Sequence, residues 1–210
     1  MTESLGIVEV LGIAGSVSLL SGWRLYLTAL ATGLAMKFGV LPLPEHLQSL
    51  QVLANPWVMG VAGLAAFMEF FADKILWLDS IWDSVHTFIR PVGGALLTLA
   101  VIDPSDPATQ AIAFILGGGA SLLAHTGKAS ARAVVNTSPE PFSNIAVSTV
   151  EDVATTGLLY LAYSHPIGAG VVAVVLLVLA LVLMIAAWKI LRRIFVRVQP
   201  DQAQPPAVEG

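Results

Sequence analysis

Long apolar stretches recur along nearly the whole chain of 210 residues, and proline-containing turns separate them. A hydrocarbon core about 30 Å thick takes roughly 20 predominantly apolar residues per helical span. Once polar interruptions are allowed, six stretches meet that requirement: 5–36, 56–76, 81–102, 108–134, 145–163 and 167–196. Between them lie Leu41-Pro42-Leu43-Pro44, Asn55-Pro56, Asp103-Pro104 with Asp106-Pro107, Ser138-Pro139-Glu140-Pro141, and His165-Pro166, all turn-forming combinations. The expected fold is all-α: a polytopic membrane bundle of about six transmembrane helices over 1–197. The tail 198–210, rich in Gln and Pro, cannot bury a core and is expected to be disordered. Composition agrees, because only 11% of residues are charged whereas soluble domains carry about 25%. With no cysteine, neither a disulfide framework nor a thiolate metal site can form.

Basic residues orient the bundle. Lys189, Arg192, Arg193 and Arg197 close the last stretch, and the positive-inside rule puts that end in the cytoplasm. Six crossings would then place both termini in the cytoplasm of an inner (plasma) membrane protein, with Lys74 and Arg132 at cytoplasmic helix ends. The chain opens with Glu3 and Glu9 rather than a basic n-region, so its start is read as mature protein. The first stretch is too long for a perpendicular crossing and carries Gly15, Ser16, Ser18, Ser21, Gly22 and Arg24 midway, which predicts a tilt or a break there. Gly15-Ser16-Val17-Ser18-Leu19-Leu20 echoes Gly118-Gly119-Ala120-Ser121-Leu122-Leu123. Two readings stay open for this echo: two inverted three-helix halves, or small residues that let helices approach closely.

Charge inside such a chain is the functional signal. An ionised side chain near the bilayer centre costs roughly 2.5–3.5 kcal/mol on insertion scales. Glu69 and Asp73 share a helix face, and Asp79, Asp83, His86 and Arg90 form one stripe followed by Pro91, which inside a helix removes a backbone hydrogen bond and frees carbonyls. His125, Lys128 and Arg132 share another face, and Glu151 and Asp152 are adjacent with Ser148 and Thr155 extending the polar side. Six unpaired acids would together cost ~15–20 kcal/mol, more than the roughly 5–15 kcal/mol that keeps a domain folded. They must be paired, protonated, hydrated or metal-bound.

The candidate ion- or ligand-binding residues are therefore Glu69, Asp73, Asp83, His86, Arg90, His125, Lys128, Glu151 and Asp152, with Arg24, Lys74 and Arg132 as gating or pairing cations. Were a metal bound, Glu69, Asp73, Glu151 and Asp152 are the candidates, and carboxylates without thiolates favour hard or borderline cations such as Mg, Ca or Mn. Asn144 or Ser143 is expected to cap the helix after the proline loop. No His-Glu-x-x-His stretch, Gly-x-Ser-x-Gly elbow or Walker loop occurs.

Several of these segments taken together resemble a known family. Glu69-Phe-Phe-Ala-Asp73-Lys74, Trp77-Leu-Asp79-Ser80-Ile-Trp82-Asp83, His86-Thr-Phe-Ile-Arg90-Pro91, His125-Thr-Gly-Lys128, Asn136 to Asn144, and Ser148-Thr-Val-Glu151-Asp152 look like the motif series of a bacterial membrane family catalogued as domain of unknown function 4126. The resemblance covers roughly 10–165 and implies a multi-pass membrane protein without supplying an activity. More loosely, Glu69 to Lys74 is similar to the Glu-x-Gly-Asp-Lys motif of small cation exchangers. Here the spacing is one residue longer and the glycine is absent.

The leading functional expectation is a secondary transporter or channel for an ion or small charged solute, through a polar cavity between helices two to five that opens to the cytoplasm. The alternatives are an intramembrane enzyme acting on a lipid or headgroup through His125, Lys128 and Arg90, and a scaffold whose charges are structural. The expected partners are the bilayer and the ion or solute, with no nucleic acid. No cofactor is specified, and a homo-oligomer stays open.

Overall fold

The computed structural model describes residues 6–39, 45–102, 106–136 and 141–198. The helices are α1 (Ile7–Lys37), α2 (Pro56–Ala72), α3 (Leu76–Ile102), α4 (Pro107–Val135), α5 (Pro141–Ser164) and α6 (Pro166–Val198), with a 3-10 segment, Glu45–Ala54, ahead of α2. No strand occurs among the described residues, and the all-α polytopic class holds. The turn signals act as helix starts. Proline opens α2, α4, α5 and α6, where its missing N–H costs nothing because first-turn amides have no helical partner. Asn55 caps α2 by accepting from the Trp57 amide at 2.9 Å, and Asp106 caps α4 by accepting from Ala108 and Thr109 at 3.0 Å each.

Lipid sets the polarity of the bundle. Phe67, Phe88, Leu116 and Val174 are exposed, while Arg24, Glu69, Arg90 and Arg132 are buried at 0–1% exposure. That inversion suits a surface solvated by acyl chains.

The centre is occupied by α1, whose backbone leaves helical geometry at Arg24 (φ −144°, ψ 71°). On the first half, Gly12 packs against Pro166 and Gly170 at the start of α6. On the second half, the Thr32 hydroxyl meets the Tyr163 hydroxyl at 3.0 Å, in the last turn of α5 just before Pro166. A straight helix rises about 1.5 Å per residue and would carry Thr32 about 30 Å beyond Gly12. The second half instead returns to the end of the bundle where the first began. There Gly33 sits against Leu53 and Met59, Leu30 lies opposite Gly63, and Ser49 Oγ donates to the Ala100 carbonyl at 2.8 Å.

This broken helix revises the count of crossings. Five helices, α1 included, are long and apolar enough to span, and α2 is a shorter apolar helix of 17 residues. Because α1 turns back, it does not add a crossing. Gly170 in α6 lies beside Gly12, and α6 then passes Gly127 at Ala180 and runs on to Val198. Gly6 and Val198, the first and last described residues, therefore lie at opposite ends of the bundle; the termini themselves lie outside the described residues.

Two further readings are corrected. The echoing segments lie side by side and run in the same direction: Ser18 Oγ donates to the Gly117 carbonyl, and a Cβ on Gly22 would strike the Ser121 carbonyl and the Ala124 methyl. Inverted halves would set them antiparallel, so close packing of small residues is the reading that fits. In addition, α5 starts at Pro141, which puts Ser143 and Asn144 inside its first turn rather than at its cap. Residues 137–140, and the tail from 199 onward, lie outside the described residues.

Overpacking a helix contact costs about 1–3 kcal/mol. Gly22→Leu is expected to lower the thermal midpoint of the purified protein by at least that equivalent, whereas Gly119→Leu, where a Cβ meets open space, leaves it unchanged. Thermal denaturation in detergent checks both.

Candidate functional site

At the break in α1 the last carbonyls of its first half lose their helical partners. Two cations from other helices replace them: Arg90 Nη1 donates to the Gly22 carbonyl at 3.2 Å, and Lys128 Nζ to the Trp23 carbonyl at 3.3 Å. The interruption is thus tied directly to a buried charge network that has two layers.

The first layer gathers around Asp73, the C-cap of α2. Its Oδ2 receives Arg24 Nη1, Lys128 Nζ at 3.1 Å and Arg132 Nη2 at 3.3 Å, and its carbonyl accepts from Arg132 Nη1 at 2.9 Å. One carboxylate therefore neutralises cations from α1 and α4 at once. Glu151 joins from α5, with its Oε2 2.9 Å from Arg132 Nη2, 3.4 Å from Arg24 Nη2 and 3.6 Å from Lys128 Nζ. Asp152 Oδ1 pairs with Arg24 Nε at 3.0 Å, and the Ser148 carbonyl and hydroxyl accept from Arg24 Nη2 at 3.2 and 3.1 Å.

The second layer centres on Arg90, whose Nη2 meets Glu69 Oε1 at 2.5 Å and whose Nη1 lies 2.8 Å from His125 Nδ1. Arginine can only donate, so Nδ1 is the acceptor and Nε2 carries the proton. That Nε2 sits 3.1 Å from both the Asp83 carbonyl and Thr87 Oγ1. His125 is accordingly a neutral, fully engaged hydrogen-bonding residue. His86 stands to one side: its Nδ1 faces the Trp82 carbonyl at 2.7 Å, its Nε2 faces the Tyr26 hydroxyl at 3.0 Å, and its ring stacks on Trp82 at 4.3 Å.

Two cavities border this network. A cavity of about 230 Å³ between α3 and α4 is lined by Asp79, Asp83, Arg132 and Asn136, and one of about 220 Å³ between α1, α4, α5 and α6 touches Trp23, Lys128 and Glu151. The bend of α1 and the side chains paired to it lie among these helices. Among the described residues no group of three or more His, Cys, Asp or Glu side chains is arranged to hold a metal ion.

The sequence profile of a family described as a domain of unknown function (DUF4126) matches residues 11–186. The chain belongs to this family. No curated protein and no solved structure matches it. The DUF4126 match takes in every charged residue of both layers, from Arg24 to Asp152, so the network falls within the family's domain rather than in an added segment.

Eleven of the twelve candidate residues assemble in or beside this DUF4126 network. His86 contacts Tyr26 and Trp82 instead, and Lys74, half-buried, bonds Ser148 Oγ at 3.1 Å and lies over the Phe70 ring. Two kinds of partner escape sequence reading. Backbone carbonyls at Gly22 and Trp23 become acceptors only because α1 breaks, and the Ser-Gly-Trp-Arg run is the sole local hint. Asn136, whose Nδ2 donates to Asp79 Oδ2 at 3.1 Å, sits at a helix end where a surface role is the default.

Removing one member of a buried ion pair costs about 3–5 kcal/mol, because the partner is left unpaired. Asp73→Asn strips the shared counter-ion from Arg24, Lys128 and Arg132 and is expected to reach that range. Half-buried Lys74→Ala is expected to cost about 0–1 kcal/mol. Reversible denaturation in detergent measures both.

Proposed function

We propose that this protein is a secondary transporter or channel for a cation or proton, with the Arg24–Asp73–Glu151 centre as the point where the ion's path meets the bundle core. The observation that carries this reading is the break of α1 at Arg24 inside a buried charge network. Non-helical backbone at membrane depth is tolerated where it is buried in protein or lines a site, and discontinuous helices with charged residues at their broken ends are how many transporters build ion sites.

The charge balance supports a cation over an anion. Six carboxylates (Glu69, Asp73, Asp79, Asp83, Glu151, Asp152) are tied by ion pairs to four cations (Arg24, Arg90, Lys128, Arg132), a formal excess of two negative charges. Lys74 at the edge offsets at most one. A proton or cation that relieves the remaining excess would shift which carboxylates hold which arginines, and that exchange is a means of coupling ion occupancy to helix position. Lys189, Arg192 and Arg193, exposed at the far end of α6, support placing that end, towards which the Asp79–Arg132 side of the network faces, in the cytoplasm.

The scaffold reading is favoured by one observation, that every acid of the network has a cation within 4 Å. The two readings part on flux. Purified protein reconstituted into liposomes is expected to dissipate an imposed cation or proton gradient, and Glu151→Gln, which keeps the size of the side chain and one acceptor oxygen for Arg132 but removes the charge, is expected to abolish that flux in protein that remains monodisperse. Tight liposomes with the wild-type chain, or undiminished flux with Glu151→Gln, would contradict transport through this centre.

A further inference from the structure

We infer that the groove between the first half of α1, the end of α3 and the start of α4 is a binding site for one acyl chain of a phospholipid whose headgroup carries a primary ammonium. The groove encloses about 630 Å³, within the range of roughly 300–1,000 Å³ that ligand sites occupy.

Its walls are hydrocarbon. Leu11 and Ala14 from α1, Ile102 from α3, and Ile112 and Leu116 from α4 line it, and all three helices are long and apolar enough to span. The hydroxyls at its inner end already have partners: Ser18 Oγ donates to the Gly117 carbonyl, and Thr98 Oγ1 to the Gly94 carbonyl at 2.8 Å. An occupant there has no hydrogen bond to complete, so an apolar chain fits without leaving a buried polar group unpaired.

Length selects the kind of chain. On α1 the lining runs from Ile7 to Ser18, and on α4 from Thr109 to Ala120. At about 1.5 Å per residue each wall is roughly 16 Å long. One leaflet supplies half of a hydrocarbon core about 30 Å thick. An acyl chain entering at the bundle end thus reaches the Ser18–Gly117 contact at the depth natural to its own leaflet. Gly15 also lines the groove, and a Cβ there would meet no atom, so the room comes in part from a missing side chain.

Charge at the mouth selects the headgroup. Every charged residue in 6–20 and 98–120, the stretches of α1 and of α3 to α4 that wall the groove, is acidic: Glu9, Asp103 and Asp106. Glu9 stands in the first turn of α1 and Asp106 is the exposed cap of α4, where hydrogen bonds from Thr109 and Ala108 hold its carboxyl below the usual carboxylate range. Such a mouth attracts an ammonium and repels a headgroup of net negative charge. The bound chain lies along the half of α1 that ends in the carbonyls held by Arg90 and Lys128, and it braces that half against α4.

Native mass spectrometry of the delipidated full chain, titrated with phosphatidylethanolamine or with phosphatidylglycerol of the same acyl chains, tests this. The wild type is expected to bind one phosphatidylethanolamine saturably and at least tenfold more tightly than phosphatidylglycerol. Gly15→Leu, which fills the groove, is expected to weaken that binding at least tenfold. Gly119→Leu, which also meets open space but does not line the groove, leaves it unchanged. Should Gly15→Leu fail to fold, phosphatidylethanolamine with a photoreactive group midway along its acyl chain still decides, since in nanodiscs it is expected to cross-link the wild type within 7–18 and 109–120. Absence of a saturably bound lipid, equal or tighter binding of phosphatidylglycerol, unchanged binding in Gly15→Leu, or cross-links spread evenly over the helices would each overturn the site. A dimer that Gly15→Leu dissociates would overturn it too, by making a second copy the occupant. Ion flux in liposomes bears on transport alone, so that reading and this site stand or fall separately.

Discussion

Three cations share one carboxylate at the heart of this bundle, and the arrangement of the helices follows from satisfying them. Asp73 meets Arg24 from α1 and Lys128 and Arg132 from α4 while standing at the end of α2. In hydrocarbon an uncompensated charge is so costly that these helices have few alternatives to meeting there. The location of the meeting point also explains why α2 is short: its last turn must deliver Asp73 to the depth where α1 bends.

The bend and the network sustain each other. A helix broken in an apolar interior exposes carbonyls that would destabilise it, and here Arg90 and Lys128 occupy two of them. Conversely, those cations need acceptors beyond the available carboxylates, and the broken helix supplies them. Small residues make the geometry reachable, since Gly12 and Gly22 allow α1 to press against α6 and α4 more closely than any side chain would permit.

Much of this was legible in the amino-acid sequence, for reasons that are local. Proline after Asn or Asp punctuates helices because of its own ring and the preceding side chain, so the starts of α2 and α4 were read closely. Burial of Glu69, Asp73, Arg90 and Lys128 followed from solvation cost alone. The break near Arg24 was signalled by serine, glycine and an arginine in the middle of a stretch too long for one crossing. The fold-back was not legible, because Thr32 meeting Tyr163 and Gly12 meeting Pro166 are contacts between distant parts of the chain. The path of α1 within the bundle was hidden for that reason. The 3-10 segment at Glu45–Ala54 was missed because its stability comes from burying Leu50 and bonding Ser49 to α3, not from any periodic pattern. Partner choice within the network was equally hidden, since six acids and several bases admit many pairings until the helices are placed.

The account stands on α1 entering and leaving the bundle at the same end. The chain has no cysteine, so single cysteines can be introduced at Gly6 and Phe38, which flank α1, and at Arg193 near the end of α6. Labelling by a membrane-impermeant maleimide in sealed cells and in opened membranes reports the side of each. Positions 6 and 38 are predicted to react from the same face and position 193 from the other. Labelling of positions 6 and 38 from opposite faces would make α1 an ordinary spanning helix and contradict the account.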